Sequence, residues 1–131
     1  MSEAVVDASA LLAYLFHEPG ADVVAAALSA GACMSAVNFS EVLAKLSEHG
    51  ISVDQALSDL RKGGLLDILE MVDFDLAAAG ETARLRHTTR DIGLSLGDRA
   101  CLALGVIRKS PVLTADSLWA KVQGVDVRTI R

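Results

Sequence analysis

Short apolar runs of three or four residues alternate along this chain with longer stretches whose apolar residues recur three and four apart, the two periods of strands and helices. Ala4-Val5-Val6 is a β-type run that ends at Asp7. Residues 9–16 predict a short helix stopped near Pro19-Gly20, and 21–30 an Ala-rich helix ended by Gly31. Ala32-Cys33-Met34 is a second strand, after which Ser35 can cap a helix reaching about His49. Ser52 or Asp54 starts another that runs to Lys62 and stops at Gly63-Gly64. The segment Leu65 to Val72 is expected to hold a third strand, and Asp75 to Thr89 a helix. Leu94-Ser95-Leu96-Gly97 leads into a helix over 98–108 that is apolar on almost every side and therefore predicted to be buried. Val112 to Ala115 is a fourth strand, 117–120 a helical turn and Val125 to Ile130 a fifth strand. Strands alternating with helices imply an α/β fold: a parallel sheet of four to five strands covered on both faces, with residues 1–131 as a single domain.

Composition narrows the setting. Hydrophobic residues make up 52% of the chain, much of it Ala, yet no apolar stretch reaches the roughly 18 residues of a membrane span. Met1-Ser2-Glu3-Ala4-Val5-Val6-Asp7 carries acids where a signal peptide has bases, so a cytoplasmic protein is expected. Cys33 and Cys101 lack metal-ligand spacing and read as buried thiols.

Four acids stand at element ends or inside apolar helices: Asp7, Glu41, Asp98 and Asp116. Each has an ordinary explanation. Asp7 and Asp116 can cap the helical segments that follow them, Asp98 suits the positive start of a helix, and Glu41 can pair with Lys45 four residues on. Converging carboxylates, by contrast, repel unless a divalent cation sits between them. Without these four, 17 acids against 12 bases becomes 13 against 12, so most of the net charge of −5 could belong to one site.

The segments Val5-Val6-Asp7-Ala8-Ser9-Ala10-Leu11-Leu12, Ser35-Ala36-Val37-Asn38-Phe39-Ser40-Glu41-Val42-Leu43, Leu94 to Leu104 (Leu-Ser-Leu-Gly-Asp-Arg-Ala-Cys-Leu-Ala-Leu) and Val112-Leu113-Thr114-Ala115-Asp116 resemble the successive motifs of a PIN-domain ribonuclease. The sequence is most similar to the toxin subunits of bacterial VapBC toxin–antitoxin pairs. The resemblance implies a three-layer α/β/α PIN-like domain and an acidic quartet, Asp7, Glu41, Asp98 and Asp116, that binds Mg2+ or Mn2+, with Asp116 as the outer member. Ser9 and Thr114 would lie near the metal or its waters, although either hydroxyl can equally cap local backbone. The implied activity is hydrolysis of phosphodiester bonds in cellular RNA, tRNA or rRNA. The implied partners are a VapB-like cognate antitoxin and a second copy of the chain in a homodimer. Leu11-Leu12-Ala13-Tyr14-Leu15-Phe16 is a candidate groove or dimer face, at least half of it expected in the core.

Hard oxygen ligands suit Mg2+, which keeps several of its waters and bridges to phosphate. His17, His49 and His87 lack partners at suggestive spacing and read as surface residues, which disfavours a metal-free nuclease with paired histidines. For RNA contact the cations of interest are Arg84, Arg86, Arg90 and Arg99, whose alternative is a solvated face paired with Glu81 and Asp91. Trp119 is expected to pack the C-terminal turn rather than stack on bases. Two other readings compete. A catalytically silent PIN-fold module that binds RNA or antitoxin would be expected to lack part of the acidic set. A phosphotransferase using Asp7 as phosphoacceptor would need neighbouring acids or a late Lys that the motifs do not supply. If the quartet is a strained anionic cluster, Asp98→Asn should raise the melting temperature.

Overall fold

The computed structural model describes residues 3–131. Its elements run β1 (Ala4–Val6), α1 (Ala8–Leu15), α2 (Ala21–Ala30), β2 (Ala32–Ser35), α3 (Ala36–Glu48), α4 (Val53–Lys62), α5 (Leu65–Ile68), β3 (Leu69–Val72), α6 (Leu76–Thr88), α7 (Leu96–Arg108), β4 (Val112–Thr114), a 3-10 turn (Ser117–Lys121) and β5 (Val127–Thr129). The five strands form one parallel sheet in the order β3-β2-β1-β4-β5. The expected α/β class, parallel sheet and helical layers are all present.

Side-chain alternation along the strands divides the core in two. Ala4 and Val6 of β1 point with Ala32 and Met34 of β2 into a cluster completed by Leu11, Val24, Leu28, Phe39, Val42 and Leu46 from α1, α2 and α3. Val5 and Cys33 point the other way, onto Cys101, Leu102, Ala103 and Leu104 of α7, Leu85 of α6 and Trp119. The sheet is thus the middle layer of three. Helix α7 is buried from Arg99 to Gly105, as its all-round apolar character predicts, and Trp119 is buried on the same side. Burial also pushes the Cys101 thiol well above its ordinary pKa, which leaves it an inert core residue.

Three boundaries differ from expectation by two residues or more, among them β5, which starts at Val127 rather than Val125. The segment 65–72 holds the expected third strand, β3, in its second half, while its first four residues form the helical turn α5, with Gly64 in a left-handed conformation (φ 83°) at the start of the turn. A short apolar run such as Leu65-Leu66-Asp67-Ile68-Leu69 fits either period, so the pattern alone does not separate them. Helix α7 begins at Leu96 rather than Asp98, because Ser95 and Asp98 form a capping box in which each side chain accepts the other's backbone N–H.

The C-terminal segment closes over the start of α2. Gly20 has φ +95°, and a Cβ there would lie 2.7 Å from Ile130 Cγ1 and 2.8 Å from the Ile130 carbonyl oxygen. Gly20→Ala is therefore expected to cost about 2 kcal/mol from strain and overlap combined. Urea denaturation checks this, and an unchanged midpoint would mean that the C-terminal segment yields freely.

Candidate metal-binding active site

The strand order reverses at β1, which pairs with β2 on one side and β4 on the other. In open parallel sheets the crevice beyond the carboxyl ends at such a point is where ligands bind. Asp7 follows β1 there, and Asp116 comes two residues after β4. Helix α3 leaves β2 at Ser35 and carries Asn38 and Glu41, while the first turn of α7 brings Asp98. These residues converge on one open pocket of about 230 Å³, lined also by Ala8, Ser9, Leu12 and Trp119. The four acids of the sequence expectation line one cavity, and no Lys, Arg or His lines it with them.

Asp7 is the buried member, with 4% of its surface exposed. Its Oδ1 accepts from the Ala10 N–H at 2.7 Å and its Oδ2 from the Thr114 hydroxyl at 2.6 Å. Ser9 Oγ donates to the same carboxylate, 2.8 Å from Oδ1 and 2.9 Å from Oδ2. The two hydroxyls also accept: Ser9 Oγ across the sheet's end from the Ala115 N–H at 2.9 Å, and Thr114 Oγ1 from the Asp116 N–H two residues on at 3.0 Å. Thr114 therefore caps local backbone and Ser9 ties α1 to the segment after β4, while both hold the carboxylate. Burial, and in smaller part the charge of Asp98, raises the Asp7 pKa from 3.8 to about 6, although the Thr114, Ala10 and Ser9 hydrogen bonds pull the other way.

Capping and clustering turn out not to be alternatives. Asp7 caps α1, Asp98 caps α7 through the Ser95 N–H at 3.1 Å, and Asp116 caps the 3-10 turn through the Leu118 N–H at 3.0 Å. Three helical starts thus face the pocket, and the positive ends of their peptide dipoles soften the repulsion among the acids. Asp98 is half-buried and seated in its capping box, whereas Asp7 is the acid whose charge burial opposes.

Glu41 does not pair with Lys45, which turns to Glu48 at 3.4 Å. Its Oε1 accepts from Asn38 Nδ2 at 2.8 Å, and the same amide nitrogen donates to the Gly97 carbonyl at 2.9 Å. Asn38 is a site residue that sequence reasoning passed over. Its signal was a lone amide four residues before Val42, on the buried stripe of α3. Asn38 Oδ1 and Trp119 Nε1 are both buried without a hydrogen-bond partner, and both residues line the pocket.

The donor set fits a hard divalent cation: all-oxygen, strongly anionic and without a competing base. Among the described residues no three His, Cys, Asp or Glu side chains close into a preformed ligand cage. An open arrangement suits an ion that keeps several waters better than it suits four-coordinate structural zinc. Elsewhere, Arg84 binds Glu81 at 2.9 Å, as its surface reading predicts. Arg86 and Arg90 have no carboxylate partner among the described residues, and Arg99 is buried, so these three do not form the surface pairs of the alternative reading. His17, His49 and His87 are exposed and stand outside the pocket.

The family model of the PIN domain matches residues 4–125. The chain belongs to the PIN domain family. No curated protein is a significant match to the chain. Among solved structures, this PIN domain is similar to a DNA-bound VapBC from Salmonella typhimurium, with TM-score 0.77 and 16% identity over 100% of both chains. It is also similar to a toxin–antitoxin complex from Klebsiella pneumoniae, with TM-score 0.74 and 19% identity over 98% of each chain. A third such structure is VapBC-5 from Mycobacterium tuberculosis, with TM-score 0.58 and 24% identity over 98% of each chain. At these identities the shared property is the fold of the PIN domain.

Proposed function

We propose that this PIN domain is a Mg2+-dependent endoribonuclease, with Mn2+ as a substitute, and the toxin of a toxin–antitoxin pair. The observation that carries the reading is the single pocket at the switch point lined by Asp7, Glu41, Asp98 and Asp116 with no cationic side chain. Asp7, Glu41 and Asp98 would hold the ion, with Asp116 as the outer member. A divalent ion bound there would polarise a phosphodiester and lower the pKa of an attacking water. The chain's own part is positional. Ser9 and Thr114 fix the Asp7 carboxylate, Asn38 aims Glu41, and the capping box fixes Asp98. With every acid present, the silent binding module is the weaker reading.

The toxin role draws on the likeness in fold to VapBC and toxin–antitoxin complexes. An apolar cleft lined by Leu15, Phe16, Leu46, Ile51, Ala56 and Leu60 is where we place a helix of the antitoxin. Of the six residues of the apolar stretch expected there, Leu11 and Ala13 enter the core and Leu12, Tyr14 and Leu15 pack against it. A homodimer and a cytoplasmic setting complete the proposal; among the described residues no helix is long and apolar enough to cross a membrane.

Purified chain incubated with total cellular RNA is expected to produce discrete fragments in Mg2+ or Mn2+ and none in EDTA. Cleavage that persists in EDTA overturns the metal-dependent reading. End mapping of the fragments identifies whether tRNA or rRNA is cut.

A further inference from the structure

A second cavity, of about 190 Å³, lies between the end of α6 and the start of α7, lined by Arg86, Thr89, Arg90, Gly93, Leu94 and Arg99. Three guanidinium groups meet there and no acid lines the cavity with them. Arg86 and Arg90 are exposed and have no ion pair among the described residues; Arg90 Nη2 only approaches His87 Nδ1, at 3.5 Å. Arg99 differs. It is 8% exposed, its Nη1 donates to the Thr82 carbonyl at 3.1 Å, and its Nε is buried with no partner. A cation so far from water is normally matched by an opposite charge, and among the described residues no acid lines this cavity.

Guanidinium forks match the oxygens of a phosphate, and the exposed pair offers a second and third point of charge. The position of the cavity argues for a nucleic-acid strand. Asp98 lines the acidic pocket and Arg99, the next residue of the same helix turn, lines this one. Consecutive residues of one helix turn thus tie the two cavities together, and a strand with one phosphate at the acids is the ligand we place over the arginines. No aromatic side chain lines the cavity, so nothing there stacks on a base.

We infer that the Arg86, Arg90 and Arg99 cavity is a backbone subsite that holds a phosphate of the RNA strand flanking the one at the acidic pocket. The inference rests on the nuclease reading for which phosphate lies next door, but its binding test does not need cleavage. Binding of a short single-stranded RNA oligonucleotide of mixed sequence is measured by fluorescence anisotropy in EDTA across a salt series. The full chain is compared with Arg86→Gln/Arg90→Gln and with Arg84→Gln/Lys62→Gln, which removes the same charge away from the cavity.

The cavity variant is expected to bind roughly tenfold more weakly at low salt. Its slope of log affinity against log salt should be smaller by about 0.7 for each phosphate contact removed. The control should stay close to the parent. Equal losses in both variants, or no loss in the cavity variant, overturn the subsite. Retained RNA binding together with lost binding of polyglutamate overturns the nucleic-acid assignment in favour of an acidic peptide. Arginine-dependent RNA binding by a chain that cuts nothing in Mg2+ supports the subsite while removing the nuclease reading.

Discussion

Asp7→Asn is expected to lose RNA cleavage by roughly a thousandfold, the scale on which one preorganised charged group acts in catalysis, and yet to melt a few degrees above the parent at pH 7. Both effects come from one carboxylate. Asp7 is almost fully buried, and burial raises its pKa from 3.8 to about 6. A shift of that size corresponds to about 3 kcal/mol of cost for holding the charge in the fold. Because the folded pKa lies above the unfolded one, the stabilising form is the neutral one. Its contribution is complete below about pH 4 and is lost as the pH rises through about 6. Asn is neutral throughout, so the variant should lack this decline. With Oδ1 kept to accept from the Ala10 N–H and the Ser9 hydroxyl, the Thr114 hydroxyl, which now donates to Oδ2, must turn to accept from the new amide, which offsets part of the gain. Thermal melts of parent and variant from pH 4 to 8 measure the difference. Parallel curves would refute the buried-charge account, and cleavage within tenfold of the parent would remove Asp7 from the site. Deprotonation of Asp7 also has to accompany cation binding, so cleavage by the parent should fall as the pH drops below about 6.

Gly97→Ala is the second large effect, and it separates activity from stability in the opposite sense to a core substitution. Gly97 lies in the first turn of α7, where Ala is the better helix former by up to about 1 kcal/mol. A Cβ at this position would fall 2.5 Å from Glu41 Oε2 and 2.7 Å from its Cδ. The obstacle is the end of a flexible side chain, so the fold yields cheaply and the carboxylate is what moves. Displacing it breaks the register that Asn38 sets between α3 and the Gly97 carbonyl. An unchanged or slightly higher melting temperature is expected, with cleavage down by about a hundredfold, as for ångström-scale misplacement of a catalytic group. The shorter Glu41→Asp in the Gly97→Ala background should recover part of the loss. Full activity in Gly97→Ala alone would place Glu41 outside the chemistry.

The fold was legible wherever a single period ran long enough. Strands β1, β2 and β4 announced themselves as brief apolar runs ended by Asp, Ser or Thr, and the all-apolar α7 read correctly as the buried helix. Leu65 to Val72 holds its strand only in its second half, Leu69–Val72, because so short an apolar run satisfies either period and a left-handed Gly64 starts the first four residues as a helical turn. The four acids were legible as a set only through their motifs, since each one alone has a sufficient local explanation. Glu41 escaped its local explanation because Lys45 chose Glu48. Asn38 was not legible as a site residue, because its role lies in a contact with Gly97 that is 59 positions away in sequence. The arginines divided for a similar reason: the partner of Arg84 is three residues off on its own helix, whereas the cavity around Arg99 is made by packing α6 against α7.

The capping carboxylates carry one more consequence. An ionised carboxylate has about four acceptor positions; one backbone N–H occupies each of Asp98 and Asp116, and the Ala10, Thr114 and Ser9 donors leave Asp7 the fewest free. The same oxygen atoms can therefore hold a backbone N–H and a ligand together, and the amides of Ala10, Ser95 and Leu118 lie one hydrogen bond from whatever occupies the pocket. A ligand bound only by the folded chain deepens the well from which those helical starts must open. Hydrogen exchange at these three amides thereby becomes a clock for the pocket's occupancy, readable without substrate and without turnover.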